Sequence, residues 1–239
     1  MKVETGNKWW FLLVLLFLVA IVGSVCPAPV QASILDFGVV APTTGSISYA
    51  GGVAPLIGSD ISVDMVVGLG TSSNDGVSRN LSNATLSFNT GGFSGGTPVT
   101  WDFGSGGSIS LVGGVDLNND GDTTDLGDIP DGTTLFSGSF DSATVIKSDT
   151  IFKVAVAAFT DTKNESLLAF YGLPQGIPYL GNFNISFNAA GSPPGAFRST
   201  ILLSGDITNT TVPEPATLTL LGSGMIGLAG FARRRLLKK

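Results

Sequence analysis

The chain has 239 residues, among them Gly 33 and Pro 12, with only 13% charged residues and a mean hydropathy of +0.39. It contains no His and a single Cys, Cys26, which excludes Ser-His-Asp and Cys-His hydrolases, His-ligated metals and any disulfide framework. Residues 33–211 hold five basic residues against sixteen acidic ones, a net charge of −11; that sign excludes nucleic acid as a partner, because phosphate binding needs a basic face.

In chain order, residues 1–32 read as a secretory signal. Lys2 and Lys8 supply the positive start, and an apolar run extends from Trp9 to Val25. Pro27 and Pro29 break any helix after it, and Val30-Gln31-Ala32 places a small residue at the cut. Cleavage is expected between Ala32 and Ser33, which would also remove Cys26.

The segment that follows reads as strands separated by turns. Ile61-Ser62-Val63-Asp64-Met65 alternates apolar with polar, as does Ala84, Leu86, Phe88 with Thr85, Ser87, Asn89. Ile109 with Leu111, and Phe136 with Phe140, mark further strands, and Phe183, Ile185, Phe187 alternate with asparagines and Ser186. Ile151 to Phe159 is almost continuously apolar and is expected to be buried on nearly both faces. Asn74-Asp75-Gly76, Gly91-Gly92, Gly95-Gly96, Gly104 to Gly107 and Gly191 to Gly195 supply turn chemistry. Gly104-Ser105-Gly106-Gly107-Ser108 has no Lys and no helix after it, so it reads as a loop and not as a phosphate cradle. No stretch holds a 3.6-residue period over three turns. The expected fold is all-β, an antiparallel β-sandwich of jelly-roll type over residues 33–211.

One stretch of this body carries metal chemistry. Asp116-Leu117-Asn118-Asn119-Asp120-Gly121-Asp122-Thr123-Thr124-Asp125-Leu126-Gly127-Asp128 resembles the Ca²⁺ loops of EF-hands and dockerins. Asp116, Asn118 and Asp120 stand at positions 1, 3 and 5, Asp122 follows, and Gly121 sits at the sharp bend. Gly127 replaces the acid that closes such loops, so Asp125 or Asp128 would have to close the site. A solvated acidic turn is the alternative reading. Catalysis has little to stand on: the body has one Glu, Glu165, and one Trp, Trp101, where sugar-cleaving clefts need paired carboxyl groups and stacking aromatics. The expectation is therefore a non-enzymatic protein, with a glycan-binding or glycan-active module as the alternative.

The C-terminus is the most specific segment. Val212-Pro213-Glu214-Pro215 cannot join a helix, Ala216 to Ala232 carries no charge and is nearly long enough to span a bilayer, and Arg233-Arg234-Arg235-Leu236-Leu237-Lys238-Lys239 would stay on the cytoplasmic side. Residues 212–239 resemble the PEP-CTERM sorting signals of Gram-negative bacteria: a Pro-Glu-Pro motif (Pro213, Glu214, Pro215), a transmembrane helix and an Arg-rich end. The resemblance implies processing by exosortase, a transient stay in the inner membrane, and a mature protein at the cell surface or in the extracellular matrix. It further implies a biofilm or exopolysaccharide setting, with extracellular polysaccharide as the partner. The resemblance assigns no activity to residues 33–211.

Overall fold

The computed structural model describes residues 32–41, 43–211 and 223–224. The strands are β1 (Ile34–Val39), β2 (Ser46–Tyr49), β3 (Pro55–Ser62), β4 (Met65–Leu69), β5 (Ser78–Gly95), β6 (Thr100–Phe103), β7 (Gly106–Val115), β8 (Ile129–Ser148), β9 (Ile151–Lys163), β10 (Tyr179–Ala189) and β11 (Phe197–Thr211). A short helix, α1 (Glu165–Tyr171), stands between β9 and β10. Each strand pairing is antiparallel, as the alternating sequence predicts.

The jelly-roll sandwich is not what the strand order shows. Pairing runs β1–β4–β5–β7–β8–β9–β10–β11, and β11 then pairs with β1 through Ile34↔Thr210 to Val39↔Gly205. Neighbours in this ring follow one another along the chain, so the topology is an up-and-down closure without a Greek-key crossing. The remaining strands continue the same sheet farther along the long strands: β2 bridges β11 and β3, β3 pairs with β5, and β6 lies between β5 and β8. The physical cause lies in strand length. β5, β8, β9 and β11 run 13 to 20 residues, and register shifts such as Ser82/Thr85 and Phe140/Ser142 bend them, so one strand serves both ends of the ring.

Eight strands leave an interior just wide enough for side chains to fill. Phe88 on β5 and Phe183 on β10, from opposite walls, bring their ring centroids to 5.0 Å, and Phe37 on β1 meets Phe136 on β8 at 5.4 Å. Phe140 and Phe159 complete that layer. A second layer gathers Tyr49, Phe93, Trp101, Phe103, Phe152, Phe187 and Phe197, with Trp101 against Phe197 at 4.9 Å. Burying such rings stabilises the fold by about 1.5–3 kcal/mol each before entropy is charged against it. β10 turns Tyr179, Phe183, Ile185 and Phe187 inward and Asn182, Asn184, Ser186 and Asn188 outward, with Leu180 also exposed.

Three local expectations are corrected. Ile61 to Met65 is not one strand but the corner between β3 and β4, where Asp64 Oδ2 accepts from the Val40 N–H at 2.8 Å. Gly91 and Gly92 lie inside β5; a Cβ on Gly91 would stand 2.2 Å from the Ser105 carbonyl oxygen, so the glycine permits close backbone approach instead of a turn. Among the described side chains of β9, Ile151 and Lys153 are exposed while Phe152, Val154 and Phe159 are buried, so the strand is not covered on both faces. In a closed single sheet every strand has an outer face, however apolar its sequence.

At 7 residues the helix is too short to show a 3.6-residue period over three turns. Asn164 caps it, its Oδ1 accepting from the N–H groups of Ser166 and Leu167 at 2.9 and 3.2 Å, and Gly172 ends it in the left-handed region at φ 64°. Leu167, Leu168 and Tyr171 face inward.

Candidate functional site

The acidic stretch is the connection between β7 and β8, closed at its base by the Val115↔Ile129 pair. Its backbone is held by its own side chains. Asp116 Oδ1 accepts from the N–H groups of Asn119 and Asp120, and its Oδ2 from that of Gly121 at 2.9 Å. Asn118 Oδ1 accepts from the Asp120 N–H at 2.9 Å, and Asp122 Oδ1 from the Thr124 N–H at 2.7 Å. Asp128 Oδ1 straps the far end to the near one, accepting from the N–H groups of Leu117 and Asn118 at 2.8 and 3.2 Å. Arg79 Nε donates to the Leu117 carbonyl at 2.9 Å and ties the loop to β5. Asn119 at φ 66° and Gly121 at φ 108° supply the left-handed turns the wrapping needs.

These turns bring Asp120, Asp122, Asp125 and Asp128 together, each offering one carboxylate oxygen within 4.8 Å of the others. Oxygen ligands on opposite sides of one Ca²⁺ stand about 5 Å apart, twice a Ca–O distance, so the four can face a single ion. Asp116 lies outside that group of carboxylates and shapes the turn, while Asn118 donates from Nδ2 to Asp120 Oδ2 at 3.1 Å beside it. Asp125 and Asp128, the two residues named to close the loop, are both inside it. The crowding shows in the protonation. Asp120 is held below the usual carboxylate range by the Asp122 N–H and by a hydrogen bond with Asp125. Asp125 is raised, first by that same bond and then by the negative charges of Asp122, Asp120 and Asp128. Asp128 Oδ2 is buried and has no hydrogen-bond partner.

Other sequence candidates fall elsewhere. Trp101 is fully buried, its Nε1 donating to the Gly195 carbonyl at 3.0 Å, so it presents no stacking face to a sugar. Glu165 is the exposed first residue of α1. Ser33 precedes β1 directly and donates from Oγ to the Gly70 carbonyl at 2.7 Å. The signal segment before Ala32 and the motif Pro213, Glu214, Pro215 lie outside the described residues. Among the described residues no helix is long and apolar enough to cross a membrane, and most of Ala216 to Ala232 is not among them.

Sequence reasoning missed one cluster. Asp161 and Lys163 alternate with Phe159 on the inner face of β9, and their side chains are fully buried. Lys163 Nζ donates to Asp161 Oδ2 at 2.6 Å, and Asn209 Nδ2, from β11, donates to the same oxygen at 2.8 Å. The rings of Phe136, Tyr179 and Phe37 surround the ammonium at 4.8, 5.2 and 5.9 Å. Burial lowers Lys163 to about 8 against the opposing pull of Asp161, and burial raises Asp161 against the pull of Lys163. Asp161 Oδ1 and Asn209 Oδ1 are buried without a hydrogen-bond partner. The one sequence signal was the run Thr160-Asp161-Thr162-Lys163, where charged residues continue the buried parity of Phe159.

Residues 211–235 match the PEP-CTERM protein-sorting motif. Such a motif marks an exported protein whose membrane-anchored precursor is processed by exosortase. No curated protein and no solved structure matches the chain.

Proposed function

We propose that this is a non-enzymatic protein of the cell surface or extracellular matrix. Exosortase releases it from the inner membrane, and it serves a structural or adhesive role among extracellular polysaccharide. The observation that carries the reading is the sorting motif at residues 211–235, which begins on the last residue of β11. The body is consistent with it. A ring of strands packed with aromatic side chains and net acidic is suited to durability in an aqueous matrix. Loop 116–128 would hold one Ca²⁺ on Asp120, Asp122, Asp125 and Asp128, joining the two long strands β7 and β8 across their turn.

Export would pause with Ala216 to Ala232 in the inner membrane, the basic end inside and Pro213-Glu214-Pro215 just outside. Replacing Pro213, Glu214 and Pro215 together by Ala should leave the full-length chain in the inner membrane, as should removal of exosortase from the host. Fractionation and immunoblotting read the outcome. A triple variant that still reaches the medium or matrix at wild-type size would reduce the tail to a plain anchor.

A further inference from the structure

We propose that Lys163 and Asn209 join in an intramolecular amide bond between β9 and β11, with Asp161 moving the protons of the reaction. The three side chains meet in the interior of the ring, where water is excluded, and two of them donate to one oxygen of the third. The reacting groups are therefore held as neighbours before any chemistry, the condition under which an otherwise slow bimolecular step becomes effectively unimolecular.

The placement of Asn209 is specific. Asn209 pairs with Gly181 on β10, and Gly181 pairs with Phe159 on β9. A Cβ at Gly181 would stand 2.1 Å from the Phe159 ring and 2.6 Å from Asn209 Nδ2. The missing side chain opens a window through which Asn209 reaches across the middle strand to the β9 carboxylate. Asn209 serves the Asp161 carboxylate through Nδ2 and leaves its own carbonyl oxygen, Oδ1, buried without a hydrogen-bond partner.

The chemistry balances without oxidant or added reagent. In the aromatic shell the proton of the Lys163 ammonium passes to Asp161, turning a buried ion pair into a neutral amine and a neutral acid. The Nζ lone pair attacks Cγ of Asn209 while the Asp161 hydroxyl donates to Oδ1 and polarises the carbonyl. Asp161 then takes one proton from Nζ and delivers one to Nδ2, the Cγ–Nδ2 bond breaks, and one ammonia leaves. The product is a secondary amide, Nζ(H)–Cγ(=O), with Asp161 still protonated. A buried charge pair is exchanged for a neutral group, and water is kept from the reverse reaction.

The bond would tie β11, the strand that continues into the sorting tail, across β10 to β9. It stands on the ring interior alone and is independent of how the tail is processed. Full-length protein, purified in the folded state, then denatured and digested with trypsin, tests it by mass spectrometry. The expected product is a branched peptide that joins the segments holding Lys163 and Asn209, uncut after Lys163 and lighter than their sum by one ammonia. Asn209→Ala and Asp161→Asn should each restore cleavage after Lys163, the second while keeping both reacting side chains. Wild-type protein that yields the ordinary peptide ending at Lys163 in full amount overturns the proposal, whatever the variants do. Loss of one water instead of one ammonia also overturns it, since the bond would then run to Asp161.

Discussion

Tyr171 ends α1 with its hydroxyl donating to backbone carbonyls on the ring wall, at 2.9 Å from Val77 and 3.2 Å from Val66. Burial pushes this phenol up to about 12, against the pull of Arg79, because the ionised form would sit desolvated beside two carbonyl oxygens. A folded-state pKa above the unfolded value of about 10 means that the native state holds its proton longer. The stability so contributed is complete below pH 10 and is lost as pH rises through about 12. Melting temperatures measured from pH 8 to 12 should fall steeply across that window, and Tyr171→Phe should lessen the fall, the rest coming from Tyr179, which burial likewise pushes up to about 12. The variant should also cost about 1 kcal/mol at neutral pH, where only the hydrogen bonding is lost. An unchanged alkaline slope in Tyr171→Phe would show that this phenol does not govern the fall.

At the scale of elements, the β7–β8 connection shows how a strand pair can carry a loop with its own internal order. Asp116, Asn118 and Asp128 spend oxygens on backbone N–H groups, and the loop they shape brings one carboxylate oxygen each of Asp120, Asp122, Asp125 and Asp128 within 4.8 Å of the others. Isothermal titration should detect one Ca²⁺ site in the full protein, weak, on the order of 10⁻⁴–10⁻³ M as in extracellular modules. Asp120→Asn combined with Asp125→Asn should abolish the heat without unfolding the ring, since neither side chain holds the loop base. Asp128→Asn should weaken binding and also loosen the base. No heat and no thermal shift at millimolar Ca²⁺ would leave only a solvated acidic turn.

For the whole molecule, closure rests on β1. Six residues, Ile34–Val39, pair with β4 on one side and β11 on the other, and put Leu35, Phe37 and Val39 into the core. Cleavage between Ala32 and Ser33 leaves β1 whole, with Ser33 still reaching the Gly70 carbonyl. N-terminal sequencing of exported protein should therefore begin at Ser33. A start at Met1 or Lys2 would refute signal removal. A chain whose mature start is moved to Val40 should lose the ring closure and its cooperative melt, because removing β1 opens both flanking ladders and uncovers Phe136.

The parts legible in the sequence were those whose signal is local. The Pro-Glu-Pro tail is a contiguous stretch, matched as a sorting motif over residues 211–235. The strand character of Phe183, Ile185 and Phe187 follows from a two-residue period, and the acidic loop from its spacing. Strand order was not legible, because alternation says which face is buried and nothing about which neighbour supplies the hydrogen bonds. The ring closure of β1 on β11 joins residues such as Ile34 and Thr210 that no local pattern connects. The cluster of Asp161, Lys163 and Asn209 was hidden for the same reason. Taken singly, each reads as a surface residue of an acidic, Asn-rich chain, and only the pairing of β9, β10 and β11, with Gly181 open between them, places all three at one point inside the fold.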